Sequence, residues 1–154
     1  MTIDTDAGAA CDATILRGGC VCGAVRYAAA GLPLRVTVCH CTWCRRRTGT
    51  AFGTECVFPV DAVRLEGASL RSYRHRSDVS GRWIEQDFCS ACGSNVGLRL
   101  EALPDIRSLG IGTFDDTEWF DTGRIAVRHV FTRSALPVCP PPHGAETYEA
   151  HFRS

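Results

Sequence analysis

Hydrophobic positions along the chain come in short stretches cut by glycine and proline. Leu34, Val36 and Val38 alternate with Arg35 and Thr37, the period of a strand with one face buried. Val25 to Ala29 reads as a strand following a turn at Gly23. Further strands are expected from Phe52 to Phe58, closed by Pro59, and from Leu70 to His75, Trp83 to Phe88, Asn95 to Leu100, Ser108 to Gly112 and Ile125 to Phe131. Strands this short, at this spacing, predict a mainly β domain dominated by antiparallel pairing. One segment departs from the pattern. Thr42 to Thr48 fits a short helix, with Thr42 as candidate N-cap and Gly49 as stop signal. Residues 1–14 are small and polar and are expected to form a flexible N-terminal tail, residues 15–136 the domain, and residues 137–154 a C-terminal tail entered through the stiff Pro140-Pro141-Pro142 turn.

With 154 residues the chain is long enough for one domain with its own core. Its formal net charge is zero, so no general attraction draws it to nucleic acid or to an acidic membrane. No apolar run approaches the roughly 20 residues of a spanning helix. Met1 to Thr14 has neither the basic nor the apolar region of a signal peptide. Cysteine changes the picture, because there are ten. Without an export signal they are expected in the reducing cytoplasm, where they read as metal ligands before disulfides. A disulfide framework is the alternative, and it fits the C-x-C and C-x-x-C spacings less well.

Seven of the ten cysteines fall into three groups: Cys20 with Cys22, Cys39 with Cys41 and Cys44, and Cys89 with Cys92. A structural zinc takes four ligands, and a catalytic one keeps an exchangeable position. The first and last groups together supply four. Cys20 and Cys22 share a side if the chain is locally extended, and the glycines at 18, 19, 23 and 93 allow the backbone to turn around an ion. The middle group supplies three, one short of closure. Cys39 and Cys41 are expected to project together, with Cys44 folding back on a helical turn, while His40 projects the opposite way as a structural histidine. The three cysteines are the candidate catalytic group, since an open metal can activate water or can hold a thiolate and polarise a carbonyl. Three thiolates weaken the ion as a Lewis acid, which favours sulfur chemistry. A second closed site, completed by Cys56, His75 or His129, is the structural alternative. Arg45, Arg46 and Arg47 offer guanidinium groups that match carboxylates, or else form a solvated basic turn. Phe52 suits a pocket wall or the core. Cys11, Cys56 and Cys139 have no partner by spacing, and His143 and His151 are expected to be exposed.

Three stretches carry a resemblance. Residues Gly18 to Tyr27 (GGCVCGAVRY), Cys39 to Gly49 (CHCTWCRRRTG) and Phe88 to Ser94 (FCSACGS) resemble the three motifs of the glutathione-dependent formaldehyde-activating enzyme family, which also includes centromere protein V. Weaker likeness continues through Gly112 to Asp116 and Arg128 to Phe131. The resemblance implies a β-tent of small antiparallel sheets stapled by zinc. It implies a structural zinc on Cys20, Cys22, Cys89 and Cys92, and a second, more labile zinc on Cys39, Cys41 and Cys44. It also implies a carbon–sulfur lyase that interconverts S-hydroxymethylglutathione with glutathione and formaldehyde, taking a small-molecule substrate. No glutathione-contacting residue carries over. A non-catalytic zinc-stapled binding module and a thiol or zinc sensor are the alternatives. The chain has no basic tail to support nucleic-acid binding, and no membrane partner is expected.

Overall fold

The computed structural model describes residues 14–78 and 80–151; apart from Thr14, the expected N-terminal tail, with Cys11, lies outside the described residues. The chain runs through β1 (Ile15–Gly19), β2 (Arg26–Ala30), β3 (Arg35–Cys39), the helix α1 (Thr42–Thr48), β4 (Gly53–Pro59), β5 (Val63–Glu66), β6 (Leu70–Arg76), β7 (Trp83–Cys89), β8 (Asn95–Leu100), β9 (Leu103–Gly110), β10 (Val127–Val130) and β11 (Glu146–Thr147). The fold is mainly β, as the alternating pattern predicts. The first, second and fifth strands form a three-stranded antiparallel sheet. The other eight form a second sheet in the order β11-β10-β3-β4-β9-β8-β7-β6. It is antiparallel except at one end, where β10 runs parallel to both β3 and β11. Among the described residues no helix is long and apolar enough to cross a membrane.

The main core lies between the sheets. The small sheet contributes Leu16, Tyr27, Ala29 and Val63, and the large sheet contributes Val36, Cys56, Phe58 and Leu109. Phe114 joins them, edge-on to Tyr27 at 5.3 Å. Alternation in β3 is realised as read for Val36 and Val38, but Leu34 precedes the strand and is 56% exposed. The strand expected at Ser108 to Gly112 starts earlier and ends at Gly110, because the Thr113 hydroxyl donates to the Gly110 carbonyl at 2.7 Å and closes a 3₁₀ turn. Residues 137–151 include β11, and hydrogen bonds from the Phe131, Thr132 and Tyr148 amides dock this segment along β10.

Two features bring remote residues to the cysteine groups. On β7, Glu85, Asp87 and Cys89 share one face by strand alternation. The two acids are neutralised there by Arg74, Arg99 and Arg107, and the Ser72 hydroxyl donates to Asp87 at 2.6 Å. In addition, β6 lies five positions from β3 in the sheet order, about 24 Å across a flat sheet. Yet His75 of β6 stacks on Trp43 of α1 at 5.7 Å, so the sheet coils and returns its far edge to the helix.

Candidate metal centres

Two sharp turns build the closed cluster. After β1, the Gly23 amide donates to the Cys20 carbonyl and the Val25 amide to the Cys20 sulfur, at 3.0 and 3.2 Å. After β7, the Gly93 amide donates to the Cys89 carbonyl at 2.8 Å. Gly23 and Gly93 both adopt φ of 78°, a left-handed conformation that a Cβ would strain. The sulfurs of Cys20, Cys22, Cys89 and Cys92 all lie within 4.8 Å of one another. Tetrahedral zinc–sulfur bonds of about 2.3 Å place neighbouring sulfurs about 3.8 Å apart. The Cys20–Cys22 and Cys22–Cys89 separations are 3.5 and 3.8 Å, so this donor set fits one soft divalent ion. Ser94 sits between the turns: its hydroxyl lies 3.2 Å from the Cys92 sulfur and accepts from the Val21 amide. That contact and the Ser94 amide bring the Cys92 thiol down to about 5.

The open cluster forms where β3 runs directly into α1. Cys39 ends the strand, Cys41 caps the helix and Cys44 lies in its first turn, with their sulfurs within 4.8 Å. The helix spans Thr42–Thr48 and stops at left-handed Gly49, as expected, but the N-cap is Cys41 rather than Thr42. Cys41 is still extended, at φ −63° and ψ 154°, and its sulfur accepts from the Cys44 amide at 3.3 Å, whereas Thr42 is already helical. His40 projects away from the sulfurs, as alternation requires. It is fully buried, with Nε2 3.0 Å from Nδ1 of His129 and Phe52 packed edge-on at 5.4 Å. Burial lowers the pKa of both imidazoles, and the His129 ring also disfavours a charge on His40.

None of the three side chains weighed as a fourth ligand joins this cluster among the described residues. Cys56 is sealed in the main core, where burial pushes its thiol up to about 12. His75 stacks on Trp43, and His129 is bound to His40. Cys139 is half-buried and outside both clusters. His143 is exposed, whereas His151 is partly covered and rests against Phe131.

Three sulfurs this close cannot all ionise on their own. Hydrogen bonds from Cys39 and then Cys44 hold the Cys41 thiol down to about 2. The same contacts, with burial, drive Cys39 far upward. For Cys44 the contact with Cys39 pulls down, but Cys41 and burial outweigh it and leave the thiol at about 12. One thiolate and two protonated thiols are therefore present near neutral pH, and a divalent ion must displace the two protons. Loading the open cluster at pH 7 is expected to release about two protons per ion, and affinity rises with pH because metal competes with protons for Cys39 and Cys44. Calorimetry in buffers of different ionisation enthalpy reads this count, and a value near zero would contradict the assigned protonation.

Sequence reading weighed Arg47 as a carboxylate-matching group or part of a solvated turn, but missed its partner near Cys44. Arg47, one helical turn on, ion-pairs with Glu55 of β4, and their side chains are 5% and 8% exposed. Of the three arginines, Arg46 alone is exposed, and Arg45 is half-buried. The available signal was a lone carboxylate at position 55 within an otherwise uncharged strand.

No curated protein matches the chain. A crystal structure of a Rhodobacter sphaeroides protein, a structural-genomics target, superposes with a TM-score of 0.54 at 20% identity. The match covers 72% of this chain and 98% of that one, and at that identity it speaks for the fold. The model of the glutathione-dependent formaldehyde-activating enzyme family matches residues 15–134, a span that holds both sulfur clusters and the Arg47–Glu55 pair. The chain belongs to the glutathione-dependent formaldehyde-activating enzyme family.

Proposed function

We propose that the chain is a zinc-dependent carbon–sulfur lyase acting on a thiol–aldehyde adduct such as S-hydroxymethylglutathione. Cys20, Cys22, Cys89 and Cys92 would hold a structural zinc, and Cys39, Cys41 and Cys44 a second. The observation that carries this reading is the convergence of three sulfurs with no fourth His, Cys, Asp or Glu donor among the described residues. Zinc bound there supplies an exchangeable coordination position suited to a thiolate or an aldehyde oxygen.

Breaking the adduct leaves the carbon–sulfur electron pair on sulfur and releases the hydroxyl hydrogen as a proton, with formaldehyde as the other product. The site must therefore accommodate a thiolate as it forms. The chain's own residues suit that task. Cys39, Cys41 and Cys44 fix the donor geometry at a strand–helix junction, which is stiffer than a loop. Trp43, between Cys41 and Cys44 in the chain, stacks on His75 of β6 at 5.7 Å. The buried His40–His129 pair supports the opposite side of the strand.

A thiol sensor is the second reading. It is favoured by Cys41, which is half-buried and ionised well below neutral pH. One experiment separates the two. Native protein should carry two zinc ions per chain, one exchanging when glutathione is added, and should speed S-hydroxymethylglutathione turnover saturably above the spontaneous background. Two exchange-inert ions with no acceleration would reject the lyase. Zinc release by mild oxidant without turnover would establish the sensor.

A further inference from the structure

The Arg47–Glu55 pair is costly where it stands. Burying an ion pair in place of well-packed apolar side chains is often neutral or unfavourable for stability. The pair also lacks the two-pronged geometry of a strong Arg–carboxylate contact. Nη2 of Arg47 meets Oε1 of Glu55, while Oε2 and the Arg47 Nε are buried without a hydrogen-bond partner. What the arrangement provides is a second contact. The guanidinium also packs beside Cys44, which lies one helical turn before Arg47.

The surroundings are shaped to this placement. Position 53 lies opposite Cys39 in the β3–β4 ladder, and it is glycine. A Cβ there would stand 2.8 Å from Nη2 of Arg47 and 3.4 Å from the Cys44 Cβ. Two residues on, and therefore on the same face of β4, Glu55 reaches the guanidinium. Trp43 covers it from the helix side at 5.4 Å. Strand, helix and ring thus fix one cation beside Cys44, which supplies one of the three sulfurs. Three thiolates around a divalent ion would leave one negative charge over, and the nearby guanidinium would offset it.

We infer that Arg47 is a positioning residue for the open cluster: anchored by Glu55, it sets a buried cation beside Cys44 that favours the negatively charged, metal-loaded cluster. This rests on the proposed reading that the cluster binds a divalent ion. Groups that support metal ligands in this way typically change affinity by about 10–100-fold when removed.

The test uses the full chain with its closed cluster filled, and it reads zinc affinity at the open cluster by competition with a chromophoric chelator, without reference to turnover. Arg47→Met/Glu55→Leu replaces the pair by apolar side chains of similar size, so the fold is kept while the cation is lost. Its melting temperature should match or exceed the native value, and its open-cluster affinity should fall by about 10–100-fold. Glu55→Gln retains Arg47 and removes only the opposing charge, so it should bind zinc at least as tightly as the native chain. Native affinity in the folded double variant would overturn the inference. A loss in Glu55→Gln as large as in the double variant would also overturn it, because the pair would then be merely structural. A native chain that takes up a single zinc would reject the lyase reading together with this inference, whereas two native equivalents with unaltered variants would reject this inference alone.

Discussion

Replacing Cys89 with serine is expected to strip the closed cluster of metal and leave the chain unfolded. Cys89 is fully buried at the end of β7, and its amide donates to the Ser94 carbonyl. Around it lies a satellite core whose only buried members besides Cys20 and Cys89 are Val25 and Val96, among the described residues. Two buried valines contribute about 1.5–3 kcal/mol each. Structural zinc in small finger peptides contributes about 10–16 kcal/mol, comparable with the whole 5–15 kcal/mol stability typical of a domain. A zinc ion held there would therefore decide whether the turn after β1 stays joined to the end of β7. Serine offers a hard oxygen in place of a soft thiolate and leaves a buried hydroxyl to satisfy. Cys56→Ser is the control. Cys56 is equally buried but belongs to the main core and to neither cluster, so it should cost about 1–3 kcal/mol for the buried hydroxyl and no metal. Metal analysis and circular-dichroism melts check both variants. A soluble, zinc-free Cys89→Ser chain that melts cooperatively would show that the closed cluster is dispensable.

The parts of this molecule legible in sequence are those fixed by short-range chemistry. C-x-C-G and C-x-x-C-G specify tight turns with inward sulfurs almost on their own, so both halves of the closed cluster stand where their spacing suggests. Gly49 ends α1 because its left-handed conformation suits glycine. The N-cap was harder to read, since a thiol is rarely considered as the acceptor that starts a helix. Tertiary features left weaker traces. The fifth strand has four residues and β11 has two, too few for alternation to register. The eleventh is held by the edge of β10, which itself pairs in parallel with a strand far away in sequence. Glu55 announced itself as a carboxylate in an otherwise uncharged strand, but its partner follows from the register that sets Gly53 against Cys39. The His40–His129 contact depends on that same parallel pairing of β10 with β3.

Cys41→Ser should separate fold from chemistry in a way that Cys89→Ser cannot. Cys41 is the N-cap of α1, and serine is among the best residues for that position. Its hydroxyl can accept from the Cys44 amide in place of the sulfur, so the helix and the strand before it should persist. The residue is half-buried and outside both core clusters, so little packing is lost. What disappears is the sulfur that carries the first negative charge of the open cluster. The variant should retain one zinc at the closed cluster and melt within a few degrees of the native chain. Its turnover of S-hydroxymethylglutathione should fall to the spontaneous rate, a larger loss than the 10–100-fold typical of disturbing a ligand's supporting group. The background must be measured alongside, because thiols and formaldehyde combine without a catalyst. Full activity in a Cys41→Ser chain carrying a single zinc would remove the open cluster from the reaction and move the search to another face of the fold. Loss of turnover with the fold and the closed-cluster zinc intact would place the chemistry at the β3–α1 junction, with Cys39 and Cys44 as its remaining donors.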